Sequence, residues 1–237
     1  LSFIFSKKKK KIIVQNSHDY FFLKKKFNLD KRKIAKVTGG SGVNLKKFLN
    51  IKKKKTKNIV MVSRVLKNKG ALEFFKAAEI LKSKFPDWKF IIVGSLDYNS
   101  PDQINPQIIK DFKKRKIVIF KDHTRSIPNV LSKAEIFCLP SHREGMPKAT
   151  IEALAAGVPV VTSDAVGCKE SIINNFNGLI FKTHSYKNLA NKIEILILNS
   201  NLRKKFSKNA RKYAQENFSI TDVSKKIYKI YNDLVYE

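Results

Sequence analysis

The sequence predicts an α/β protein whose core is a parallel sheet covered by helices on both faces. Three observations carry this. Six short runs, NIVMVS, KFIIVG, IVIF, EIFCL, VPVVTS and GLIF, are apolar almost throughout instead of alternating, as strands buried on both sides must be. Most are separated by segments of helical periodicity, the order that builds strand–helix–strand units. With 237 residues and 43% hydrophobic content, the chain has the material for a real core.

Upstream of these runs, residues 12–14, IIV, read as a short strand. Ser17 is placed to cap a helix through Tyr20, Phe21, Phe22 and Leu23, with Asp19 in its first turn. Ile34 to Val37 is another apolar run, TGGSGVN a turn-rich connector, and KKFLNIKKKKTK a basic linker that reads as a domain boundary. Gly39, Gly40 and Gly42 do not make a dinucleotide fingerprint, because no third glycine follows at the right offset and no helix opens there.

Within the alternating region, Phe74, Ala77, Ala78 and Leu81 recur at helical spacing until Pro86 closes the segment. A helix around Ile108 to Lys114 precedes the third run, and Pro128 is suited to the first position of a short helix. From Ser185 the chain reads as helical. Leu189, Ile193, Leu196 and Ile197 form one apolar stripe, Phe206, Ala210, Tyr213 and Ala214 a second, and Val223, Ile227, Ile230 and Leu234 a third.

Lys and Arg number 49 against 19 Asp and Glu, a net charge of +30. Such a charge draws a protein toward polyanions: nucleic acid, anionic lipid or phosphorylated ligands. The lysines are spread over every segment without interleaved surface aromatics, which argues against a specific nucleic-acid groove. Abundant Lys, Asn, Ile and Phe also fit an AT-rich coding bias. Cys138 and Cys168, thirty residues apart, form neither a metal spacing nor a redox pair, so a reducing compartment fits. No apolar run approaches the ~18 residues of a membrane span. The opening LSFIFSKKKKK is too short in its apolar part for a signal peptide, and a start at Leu1 reads as that of a fragment.

Chemistry concentrates in Pro140 to Pro159, PSHREGMPKATIEALAAGVP. Glu144 lies at a turn, Gly145 and Pro147 bend the chain into a helix, and Glu152 lies about one and a half turns along it. In an open parallel sheet, ligands bind outside the carboxyl ends of the strands. At those ends this chain carries Arg64 and Lys69, then Gly94, then Lys121-Asp122-His123, then the Glu144 stretch with Lys148. Two cations and a helix N-terminus describe a diphosphate site. A carboxylate on a largely buried helix, Glu152, wants donors such as the two hydroxyls of a ribose. His123 and His142 lack an orienting carboxylate in sequence and read as polar loop residues more readily than as catalytic bases. There is no Walker loop, no H-E-x-x-H and no Asp-x-Asp pair to hold a metal against a diphosphate.

Taken in order, VSRVLKNKG, VGS, EIFCLPS, the two glutamates eight positions apart, GVPVVTSDAVGCKE and NGLIF resemble the retaining glycosyltransferases of the GT-B fold, family 4 (group 1). The branch is that of capsule, O-antigen and lipid-linked oligosaccharide synthesis. The resemblance runs from residue 12 to about residue 220. It implies a Rossmann-like donor domain at 49–218, a remnant of an N-terminal acceptor domain at 1–48, and a crossing helix at 219–237, with the rest of the acceptor domain missing.

It also implies a hexosyltransferase that uses a nucleotide-sugar donor, UDP-linked by expectation, and a lipid-linked or polysaccharide acceptor. The reaction would proceed without a cofactor or metal, in the cytoplasm at an anionic membrane surface. Arg64 and Lys69 would bind the diphosphate with backbone N–H groups near Thr150 and Ile151. Glu144 and the backbone of Gly145, Met146, Pro147 and Lys148 would meet the donor sugar. Glu152 would hold the ribose, and Gly94 and His123 would flank the nucleotide. Ser63 departs from the glycine many relatives carry before the arginine.

Overall fold

The computed structural model describes residues 10–49 and 51–236. The apolar start, LSFIF, therefore lies outside the described residues. The six apolar runs are the strands β3 (Asn58–Val62), β4 (Lys89–Val93), β5 (Val118–Lys121), β6 (Ile136–Leu139), β7 (Val160–Ser163) and β8 (Gly178–Phe181). They form one sheet in the order β5-β4-β3-β6-β7-β8, parallel at every pairing. The order reverses direction between β3 and β6, the kind of crossover point at which such sheets open a ligand crevice.

Period-two geometry explains why these strands read as continuous apolar runs. Ile59 and Met61 of β3 and Ile136 and Cys138 of β6 face one core with Phe74, Phe75 and Leu81. Val60 of β3 and Phe137 and Leu139 of β6 face the other core with Ile151 and Leu154. The first face is covered by α3 (Ala71–Lys84), α4 (Pro106–Lys114) and α7 (Tyr186–Leu198). The second is covered by α5 (Ile127–Ser132), α6 (Lys148–Ala155) and α8 (Ser200–Asn217).

Three details differ from the sequence reading. No α-helix lies between β7 and β8, only a 3-10 turn at Lys169–Ser171, yet the strands remain parallel. Pro128 sits one residue inside α5, which starts at Ile127. The basic linker is also partly ordered against the fold, with a short helix, α2 (Lys46–Leu49), inside it. There, Lys53 Nζ donates to Leu131 O and Ala134 O at 3.1 and 3.2 Å, and Thr56 Oγ1 donates to Lys133 O at 2.7 Å. These bonds tie the linker to carbonyls at and just past the end of α5, and burial pushes the Lys53 ammonium down to about 8.

The N-terminal segment forms its own parallel pair, β1 (Ile12–Val14) and β2 (Ile34–Lys36), joined by α1 (Ser17–Lys26). Its cap is Asn16, one residue before the expected Ser17. The Asn16 side-chain oxygen accepts from Asp19 N at 2.7 Å, while Ser17 Oγ accepts from Lys36. Val43 and Phe48 pack into the core of the large sheet, upstream of the boundary expected at 48/49. Val43 also exchanges backbone bonds with Phe218 and Ile220, where α9 (Ile220–Tyr236) begins.

Candidate functional site

Loops from the carboxyl ends of β3, β6 and β7 touch because two glycines allow it. Gly70 is left-handed at φ 72°, and a Cβ there would lie 2.0 Å from Pro140 O. Gly167, at φ 80°, would place one 2.0 Å from Glu144 O. The turn ending at Lys69 is thereby held under the end of β6, and the β7 loop is held against the Glu144 backbone, whose N–H donates to Val166 O at 2.9 Å.

This contact produces the central pair of the site. Lys69 Nζ lies 2.7 Å from Glu144 Oε1, with side chains 22% and 17% exposed. The two residues are 75 positions apart in sequence, and each is a charge left at a strand's end. Arg64 shares that edge but is more exposed, and its Nη1 bonds Asp97 Oδ2 at 3.0 Å. Gly94 lies alongside, close enough that a Cβ would strike Ser63 O. His123 is exposed after β5, at the outer edge of the sheet and two strands from β3.

Pro147 caps α6 in an extended conformation, with no side-chain cap bond. The expectation for Thr150 and Ile151 needs correction. Their N–H groups already donate to Pro147 O at 3.1 and 3.2 Å, because they close the first helical turn. The N–H groups of Gly145, Met146, Lys148 and Ala149 have no hydrogen bond among the described residues. The donors a helix start offers to an anion therefore lie two positions earlier. The side chain of Ile151 is core, and Thr150 Oγ1 is buried without a partner among the described residues.

Glu152 is half-buried on α6, and its carboxyl is pushed above its ordinary 4.5 by burial, with the charges of Lys148 and Lys47 pulling the other way. A carboxylate so placed lacks water and gains from hydroxyl donors. Cys138 and Cys168 are both buried and free, and burial raises both thiols, that of Cys168 to about 11, so neither is a nucleophile at neutral pH.

Several contributors carry no signal in the sequence. Asn16 Nδ2 donates to Gly145 O at 3.0 Å, Arg143 bonds Asp19, and a Cβ on Gly145 would lie 2.7 Å from Gln15 Oε1. A cavity of about 360 Å³ lies here, between β1, α1 and the Gly145 loop. Glu73, His142 and His184 also converge on this edge, from the first turn of α3 and from the loops after β6 and β8. Only spatial adjacency marks these residues, since their sequence separations carry no motif. Another cavity, of about 670 Å³ and lined by Lys57, Trp88, Glu135 and Arg203, opens at the opposite, amino edge of the strands, away from all of these groups.

Residues 44–213 match the family model "Glycosyl transferases group 1". The chain is 32% identical to the N,N'-diacetylbacillosaminyl-diphospho-undecaprenol alpha-1,3-N-acetylgalactosaminyltransferase of Campylobacter jejuni, over 94% of this chain and 60% of that protein. It is 28% identical to the UDP-Gal:alpha-D-GlcNAc-diphosphoundecaprenol alpha-1,3-galactosyltransferase of Escherichia coli, over 95% of this chain and 60% of that one. It thus spans about 60% of the length of these two relatives.

Among solved structures, a glycosyltransferase from Rickettsia africae superposes with a TM-score of 0.84 at 24% identity, covering 95% of this chain and 64% of that one. HepE of Anabaena in complex with UDP gives 0.81 at 18%, covering 94% and 64%. At these identities the structural likeness concerns the fold, which is that of GT-B glycosyltransferases. The family match over most of the chain, on a sheet whose carboxyl edge carries the paired Lys69 and Glu144, places this protein in the glycosyl transferases group 1 family.

Proposed function

We propose that this chain carries the donor half of a retaining family 4 glycosyltransferase. The full protein would transfer a hexose or N-acetylhexosamine from a UDP-sugar to a lipid-linked or polysaccharide acceptor. The observation that carries this reading is the Lys69–Glu144 pair beside four unbonded N–H groups at the start of α6. A diphosphate there meets a cation and a helix N-terminus together.

In this reading Lys69 and Arg64 take the charge that builds on the diphosphate as the bond to the sugar's anomeric carbon breaks. Arg64 exchanges Asp97 for phosphate when donor enters. Glu144 and the backbone from Gly145 to Lys148 orient the sugar hydroxyls, and Glu152 holds the ribose. The acceptor oxygen bonds to the anomeric carbon on the face the diphosphate leaves. Its proton passes to a departing phosphate oxygen, so configuration is retained without a metal. Gly94 and His123 flank the nucleotide. The UDP-sugar in the name of the Escherichia coli relative and the UDP bound to HepE favour uridine.

An anionic membrane surface is the natural location for a lipid-linked acceptor, and the net charge of +30 suits it. Among the described residues, no helix is long and apolar enough to cross a membrane. Calorimetry with UDP and UDP-N-acetylhexosamines tests the donor role. Saturable binding that Arg64→Ala and Glu152→Ala weaken supports it, whereas no binding, or binding those substitutions leave unchanged, rejects it.

A further inference from the structure

We propose that Glu73, His142 and His184 form a binding site for one divalent cation of the zinc class, separate from the donor site. The three ligand atoms all lie within 4.8 Å of one another. Glu73 Oε1 is 2.9 Å from His142 Nε2 and 3.7 Å from His184 Nδ1. Around a tetrahedral zinc, ligands at about 2.0–2.1 Å stand roughly 3.3 Å from each other. The first of these separations must open and the second close by about 0.4 Å, within the reach of small side-chain rotations.

Hydrogen bonding explains only part of the arrangement: His142 Nε2 and Glu73 Oε1 share one hydrogen bond at 2.9 Å, while His184 Nδ1, at 3.7 Å, lies beyond hydrogen-bond distance. Two imidazoles crowd one carboxylate oxygen, with ring centroids 4.0 Å apart. The other oxygen, Glu73 Oε2, is buried and has no hydrogen-bond partner among the described residues. An orphaned buried acceptor is costly, and a cation held by both oxygens of the carboxylate removes that cost. Two imidazoles and one carboxylate are the ligand types of zinc, nickel and cobalt, whereas magnesium prefers all-oxygen octahedra.

The ligands come from three places: the first turn of α3, the loop after β6 and the loop after β8. The backbone of His142 is held in advance, since its main-chain N–H donates to Asn68 O at 2.9 Å. His184 adopts a left-handed backbone at φ 64°. The neighbouring cation Lys69 is engaged with Glu144. A bound metal would tie these loops together two residues from Glu144.

Titration of the chelator-treated protein with zinc sulfate is expected to show one saturable site that magnesium chloride does not compete for. Cobalt is expected to give the visible absorption of a low-coordinate nitrogen and oxygen environment. Glu73→Gln, His142→Gln and His184→Asn are each expected to weaken zinc at least about tenfold, since even outer-sphere partners of metal sites are worth about 10–100-fold. Asparagine tolerates the backbone of position 184, and circular dichroism identifies any variant that fails to fold. His123→Gln is expected to leave zinc uptake unchanged. Absence of one-to-one uptake, or uptake that survives all three substitutions in folded protein, overturns the site.

Discussion

Glu152 shows how a residue proposed to bind ligand can work against the stability of the free protein. Burial raises its carboxyl above the usual value of 4.5. A carboxyl raised in the folded state costs nothing while both states are protonated, and destabilises the fold as pH rises past its unfolded value. Glu152→Gln is therefore expected to stabilise the free protein at neutral pH, with the gain vanishing below about pH 4. Denaturant melts of both proteins across that range check this, and the same substitution is expected to weaken UDP binding. Lys69→Ala acts differently. It leaves Glu144, 17% exposed, without its counter-charge. The expected result is a loss of diphosphate affinity larger than that from Arg64→Ala, whose guanidinium is 56% exposed and already shared with Asp97. Calorimetry with UDP compares the two.

Among the elements, the loop at Gly70 and the strand β4 make opposite kinds of demand. Gly70→Ala forces a Cβ onto Pro140 O and an alanine into the left-handed region, which alone costs about 1–2 kcal/mol. A thermal melt is expected to show that loss together with weaker donor binding, because the same contact positions Lys69. Phe90→Ala empties a fully buried position on β4. It is expected to cost about 3–5 kcal/mol in denaturant unfolding, with UDP affinity kept under native conditions.

The strands, their parallel pairing and the α6 segment are legible in the sequence because continuous apolar runs and a Pro-Gly-marked helix start are local signals. The Lys69–Glu144 pair is legible only as two charges at strand ends, since the sheet order decides that β3 and β6 are neighbours. The engagement of the Thr150 and Ile151 N–H groups escapes the sequence because it depends on which residue is the N-cap: with Pro147 there, its C=O accepts the first intrahelical bonds, and local residue signals fix that boundary only to within a residue or two. Glu73 and His184 escape it because a helix start and two loops bring them together with His142, and no spacing does. Between β7 and β8, the periodic rule fails at a 3-10 turn.

At the scale of the molecule, charge and extent matter most. The described part carries the edge proposed to bind donor, and the chain spans about 60% of the length of these two relatives. This chain alone is expected to bind UDP-sugar yet transfer sugar poorly to a lipid-linked acceptor, as measured by product formation against a full-length relative. Its +30 charge predicts sedimentation with anionic but not neutral vesicles, falling as salt rises.

The contact of Asn16 and Gln15 with Gly145 also bears on how such enzymes can be recombined. Anyone grafting this proposed donor half onto a foreign acceptor half would be tempted to cut in the lysine-rich linker. A cut there discards the strand whose tip braces the Gly145 loop and the glycine connector that packs on Met146 and α9. Chimeras joined upstream of Ile12 should keep the specificity of this donor half, whereas those joined at the linker should inherit a loop with nothing behind it.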